Sequence, residues 1–144
     1  MRFDRGLLRA AFVLFGLSMG TGLLIPLFKS PRLGLAAHLT GLLNVFVLTA
    51  LAAAVSKFPR HERPHLLRLV FLFCAFTMWF GGVLGASWGT TWVTPMASAP
   101  LVNTAAQAAL WQQLLILVLT LVTVFLYIIA ASVVVWRLRA LHAD

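Results

Sequence analysis

Acidic side chains are nearly absent from this sequence: Asp and Glu together number 3 among 144 residues, against 11 Lys and Arg and a formal net charge of +8. The acids are Asp4, Glu62 and Asp144, all outside the long apolar runs, so no carboxylate is available at mid-membrane depth. That argues against an ion-coupled pump or exporter using a buried acid as its proton site, and against paired-carboxylate catalysis of the glycosidase kind. The single cysteine, Cys74, lies inside an apolar run without a partner, which excludes an intrachain disulfide and a multi-cysteine metal centre. Charged residues of both signs make up only 10% and hydrophobic ones 62%, with a mean hydropathy of +1.00. A soluble domain carries roughly a quarter charged residues, so a disordered, fibrous or ordinary cytosolic protein is ruled out. No P-loop, dinucleotide fingerprint, zinc signature or nucleophile elbow is present. The basic residues form short clusters between apolar runs and not one continuous stripe, which marks them as membrane flanks and not a nucleic-acid surface.

What is present is four apolar runs, each long enough to cross a hydrocarbon core that needs roughly 20 residues as helix. They span Leu7–Phe28, Leu35–Val55, Leu66–Trp88 and Gln112–Trp136. Backbone satisfaction in lipid demands helices where no alternating strands occur, so the expected fold is all-α: an integral membrane four-helix bundle, one domain over residues 1–144. The first run is too long for the apolar core of a signal peptide and lacks a small-residue cleavage site, so it reads as a retained helix. Arg2, Arg5, Arg9, Lys57, Arg60, Arg63, Arg68, Arg137 and Arg139 fall on one side, and only Lys29 and Arg32 on the other. The positive-inside rule then places both termini in the cytoplasm. The connection from Gly89 to Trp111 is uncharged, holds Pro95 and Pro100, and is bracketed by Trp88, Trp92 and Trp111. It is expected low at the outer interface, as a plain loop with an aromatic belt or as a lid over an outward-opening site. Gly16 with Gly20, and Gly81, Gly85 and Gly89, have the spacing that lets helices approach closely, inside the bundle or between copies.

Neutral polar groups concentrate at the start of the second run, Pro31-Arg32-Leu33-Gly34-Leu35-Ala36-Ala37-His38-Leu39-Thr40-Gly41-Leu42-Leu43-Asn44. His38 and Asn44 are separated by roughly 9 Å of rise and about 120° of rotation on a helix. They cannot share a narrow face: one points into the bundle and the other into a cleft between bundles, or both border a wide pocket. Gly41 lies one turn from His38, where a missing side chain admits a flat cofactor or a neighbouring helix. A neutral imidazole is a good metal or haem ligand in a low-dielectric site; the plainer role for His38 is a hydrogen bond between helices. Asn44 offers a donor and an acceptor without ionising, and interhelical glue is its plainer role. His61, His65 and His142 read as surface histidines. Gln107, Gln112 and Gln113 cap the fourth helix or line the outer end of a pocket. Thr77, Thr120 and Thr123 can bond to their own helix backbone, and Met78 and Trp79 read as packing.

The stretch from Phe28 to Asn44, with Lys29-Ser30-Pro31-Arg32 ahead of His38 and Gly41, resembles the signature of the hydroxylaminobenzene mutases. Its histidine-to-asparagine spacing is also similar to that of styrene oxide isomerase. The likeness extends to Gly16, Gly20 and Gly22, to Pro95-Met96-Ala97, to Trp111-Gln112 and to Trp136-Arg137-Leu138-Arg139. The resemblance implies a multi-pass isomerase of the bacterial cytoplasmic (inner) membrane, converting hydroxylaminoarenes to aminophenols by moving the hydroxyl group, with a small aromatic substrate and a homo-oligomeric, trimeric assembly. By the same resemblance a haem b would be held by His38 with Gly41 beside it, and Asn44 would orient the reacting oxygen. Such rearrangements are redox-neutral and need a Lewis acid at oxygen more than a buried carboxylate. The family pattern differs in carrying a histidine near Ala10 and Ala11, a glycine at Val45, a tyrosine and an asparagine near Phe76 and Met78, and an acid near Gln113. Phe76 and Met78 motivate a second expectation, a non-catalytic haem-binding or assembly subunit of the membrane. A third is a facilitator for neutral solutes.

Overall fold

The computed structural model describes residues 4–58, 65–93 and 107–140. Four long helices carry the described chain: α1 (Arg5–Leu24), α2 (Pro31–Val55), α3 (His65–Trp88) and α4 (Leu110–Ala140). All four are long and apolar enough to cross a membrane, and no strand occurs among the described residues. Their limits follow capping chemistry more than hydropathy. Asp4 Oδ1 accepts from the backbone N–H groups of Gly6 and Leu7 at 3.0 and 3.1 Å, satisfying two of the orphan donors at the start of α1. Pro26, inside a 3-10 turn at Ile25–Leu27, ends the first span earlier than the apolar run suggests. Ser30 caps α2, its Oγ accepting from Leu33 N–H at 3.4 Å with Pro31 at the first helical position. The second helix thus starts at Pro31 and not at Leu35, because a cap and a proline with preset φ are worth more than hydropathy at a helix start. Gly89, at φ 75°, ends α3 in the left-handed conformation that glycine adopts without strain.

Consecutive helices pack against each other, with a lighter contact between α1 and α3. They run up and down: Asp4 N–H bonds to Ala52 O at the end of α2, Ser30 N–H to Ala86 O near the end of α3, and Ala108 N–H to Gly89 O. Arg5 and Arg137 therefore lie toward the same end of the bundle. At that end an ion pair joins Arg68 Nη2 to Asp4 Oδ1 at 3.0 Å, so the one acid at a described helix start ties α1, α2 and α3 together.

The core runs along the shared seam, with Leu7, Leu14, Leu48, Val55, Phe71, Ala75 and Ala130 buried. The outward surface is just as apolar: Leu23 is 84% exposed, Phe12 75% and Phe46 72%. Water would make this surface an aggregation liability; acyl chains are its natural solvent. Gly81 and Gly85 face neighbours inside the chain, whereas a Cβ added at Gly16 or Gly20 would meet nothing within 4 Å. The first glycine pair is therefore not used for packing within the chain. Pro95, Met96, Pro100, His61, Glu62 and His142 lie outside the described residues, and so does most of the connection read as a loop or lid. Of its bracket, Trp88 and Trp111 pack with ring centroids 5.5 Å apart and planes tilted by 59°.

Candidate functional site

His38 sits half-buried on the flank of α2 that faces α1. Its Nδ1 lies 2.7 Å from the backbone oxygen of Ser18. A carbonyl only accepts, so Nδ1 carries the proton and donates, which leaves the Nε2 lone pair of the neutral ring free. The ring rests against Gly22, where an added Cβ would come within 3.0 Å of Nδ1. Gly22 therefore makes room for the imidazole, a role that its helical position alone did not reveal. This is the arrangement in which an outer hydrogen bond fixes the tautomer of a ligating histidine.

Gly41 has a definite neighbour. An added Cβ would collide with Ser18 Oγ and approach Trp79 Cδ1 to 2.8 Å. Of the two occupants open to this position, the structure seats neighbouring helices, α1 and α3. The Trp79 indole N–H donates to Thr21 Oγ1 at 3.1 Å, and that hydroxyl donates to Leu17 O at 2.9 Å. Trp79 is thus packing with a hydrogen-bonded tip. Ser18 Oγ is buried in the same niche with no hydrogen-bond partner.

Asn44 points to the other side of α2, into the bundle, and is buried. Its Nδ2 donates to Ala75 O of α3 at 3.3 Å, and its Oδ1 accepts from the Tyr127 hydroxyl of α4 at 2.7 Å. Three helices meet at this amide, which keeps one N–H and one lone pair beyond those bonds. The Tyr127 ring is held edge-on by Phe71, centroids 5.5 Å apart. The sequence holds a single tyrosine, and its position on the fourth span hid its role. Phe76 stands where a third-span hydroxyl was expected, yet a phenol still reaches Asn44, from the opposite helix.

One turn further along, about 6 Å of rise from Asn44, a cavity of about 220 Å³ opens between α2, α3 and α4. Ala37 and Thr40 wall it from α2, Met78 and Gly82 from α3, and Ile116 and Thr120 from α4. Met78, read as packing from sequence, is therefore a wall of this space. Thr90 and Val93 close its outer end. The segment carrying them is clamped by Gln113, buried to 2% exposure, whose Oε1 accepts from the N–H groups of Thr91 and Trp92 at 2.8 and 3.3 Å. Its Nε2 donates to Thr91 Oγ1 at 3.1 Å, and Gln107 Nε2 donates to the same hydroxyl at 3.3 Å. Gln112 caps α4, its Oε1 accepting from Ala109 N–H at 2.9 Å. The three glutamines thus cap and clamp; none lines the cavity.

The structure does not bring His38 and Asn44 to one pocket within the chain. His38 is about 160° around α2 from Thr40, while Asn44 is only about 40° from it. Asn44 faces the bundle and His38 the flank beside α1. No group of three His, Cys, Asp or Glu side chains capable of holding a metal ion occurs among the described residues. A lone imidazole with a fixed tautomer is a residue that could hold a haem, which brings its own further ligands; it does not suit a metal ion held by protein alone.

Two named proteins of Ectopseudomonas oleovorans are similar to the chain. Hydroxylaminobenzene mutase HabB is 28% identical over 142 residues, covering 96% of this chain and 83% of HabB. Hydroxylaminobenzene mutase HabA is 36% identical over 87 residues, covering 58% of this chain and 62% of HabA. No family model matches the chain, and no solved structure matches it significantly. The likeness read from the second span thus extends along nearly the whole chain against HabB, and the chain is similar to two proteins named as hydroxylaminobenzene mutases.

Proposed function

We propose that this protein is a membrane isomerase that converts hydroxylaminobenzene, or a close hydroxylaminoarene, to the corresponding 2-aminophenol. The observation that carries the reading is the similarity to two proteins named as mutases of that substrate, one of them aligned over 96% of the chain. The interior suits the chemistry. An N–O bond breaks, a C–O bond forms at the neighbouring ring carbon, and that carbon's proton is released as nitrogen takes one up; substrate and product have the same atoms and oxidation balance. A carboxylate-free, apolar interior keeps bulk water from capturing a cationic intermediate. Asn44, held on Ala75 and Tyr127, has a donor and an acceptor left to orient a hydroxyl or amine. The Tyr127 phenol fixes which way that amide points and is a positioning group in this scheme.

His38 is the residue that would hold a haem, through Nε2, with Ser18 O keeping the proton on Nδ1. When bound, ferric haem supplies a Lewis acid toward oxygen. We assign that role to the flank of α2 that faces α1, and the orientation of the substrate's polar group to Asn44 inside the bundle.

The test is the purified protein in lipid nanodiscs given hydroxylaminobenzene, beside His38→Ala and Asn44→Leu. Aminophenol formation by the wild type is expected, with a Soret band that His38→Ala removes. A chain that binds haem yet leaves aromatic hydroxylamines unchanged would instead be the non-catalytic subunit.

A further inference from the structure

We infer that the cavity between α2, α3 and α4 is a binding site for one neutral, single-ring aromatic molecule whose hydrogen-bonding substituent is met by the hydroxyls of Thr40, Thr90 and Thr120. This deepens the isomerase reading by naming the substrate class and its place, and rests on that reading only for the identity of the reactant.

Three observations converge. The first is size: about 220 Å³, where an apolar cavity of about 150 Å³ already holds benzene, leaves room for one ring and a small substituent. The second is lining: no charged side chain among the described residues borders the space, so an ion would lose its hydration without a counter-charge, whereas a neutral aromatic partitions from the bilayer. The third concerns the threonines. Helical threonines commonly bond back to the carbonyl four residues earlier, and Thr21, Thr49 and Thr123 do so, at 2.9, 2.8 and 2.6 Å. Thr40, Thr90 and Thr120 make no side-chain hydrogen bond among the described residues, and all three line the cavity. Thr90 is buried, and a Cβ on Gly85 would come within 2.8 Å of its hydroxyl, so that glycine keeps space open beside an unpaired donor. A hydroxyl that opens on an apolar space without a partner forgoes a hydrogen bond; a guest bearing an N–H or O–H supplies one.

Gly81 sets the capacity of the site. A Cβ there would meet only Leu119 Cδ2, at 3.5 Å, an ordinary contact, so a side chain is tolerated at its first carbon on a position that lines the cavity.

The probe is 4-fluoroaniline, neutral and unreactive in the proposed rearrangement, titrated by fluorine NMR into the full chain in lipid nanodiscs with empty nanodiscs as reference. Saturable binding at one site per chain is expected, with 4-fluorobenzoate showing none. Gly81→Leu should weaken it at least about tenfold, by volume, and Thr120→Val about three- to tenfold, by one hydrogen bond. Partition equal to that of empty nanodiscs, or undiminished affinity in a Gly81→Leu chain of wild-type helix content, overturns the proposal. If Gly81→Leu does not fold, Gly81→Ala and the near-isosteric Thr120→Val decide it in the same way. Saturable binding without aminophenol formation upholds the cavity and sinks the isomerase reading. Aminophenol formation without saturable binding does the reverse.

Discussion

At the Asn44 amide, two hydrogen bonds join three helices inside an apolar interior, and both partners are specific: the Ala75 carbonyl and the Tyr127 phenol. Removing the phenol oxygen in Tyr127→Phe deletes one interhelical bond, worth about 1 kcal/mol in a membrane interior. Thermal unfolding in detergent should show that modest loss. If the phenol positions Asn44 for turnover, kcat should fall more than KM rises. Asn44→Leu strands the Tyr127 hydroxyl and should cost about 1–3 kcal/mol, visible in the same unfolding assay. His38 and Asn44 were legible because they are rare polar groups in an apolar run, and their angular separation correctly forbade one narrow face. Tyr127 was not, since nothing local to a tyrosine on the fourth span says that it reaches the second; that pairing is a property of helix packing. Thr120 was read as bonding to its own helix, as Thr123 does, and only the packed structure separates the two.

Among the elements, α2 is the organising one, in contact with α1 on one flank and α3 on the other. Its fit to α1 depends on Gly41, where any side chain strikes Ser18 and crowds Trp79. Gly41→Leu should therefore destabilise the protein by about 1–3 kcal/mol through overpacking, and Gly41→Ala combined with Ser18→Gly should recover much of the loss of Gly41→Ala alone; an additive double mutant in unfolding experiments would contradict this packing. The start of α4 is coupled to the end of α3 through Gln113. Gln113→Leu leaves the Thr91 and Trp92 N–H groups without their acceptor, and amide hydrogen exchange at Thr91 and Trp92 should accelerate while the helix interiors stay protected. The existence of four helices was plain from hydropathy, but their limits were not, because Asp4, Pro26, Ser30 and Gly89 set them through capping and backbone geometry. The glycine spacings were equally visible in α1 and α3, yet only those in α3 meet neighbours within the chain, since spacing reports a face and not its partner.

For the whole molecule, the up-and-down order brings Arg5, Lys57, Arg68, Arg137 and Arg139 to one end and Lys29 and Arg32 to the other. We propose from the positive-inside rule that the first end is cytoplasmic; reporter fusions at either terminus should then be active only on the cytoplasmic side, and a fusion active on the opposite side would break the topology. Among the described residues there is one acid, Asp4, at the edge of the bundle, serving Arg68 and the α1 cap, and between the ends lies a cavity of ring size with no charged side chain among its described lining. Chemistry in such a space has to proceed without an ionised side chain and, for an isomerase, without exchanging electrons. Product analysis after incubating the purified protein with hydroxylaminobenzene, with no electron donor or acceptor added, reads this out. One aminophenol formed per hydroxylamine consumed is the expected result; aniline, nitrosobenzene or unchanged hydroxylamine as the sole outcome would contradict it.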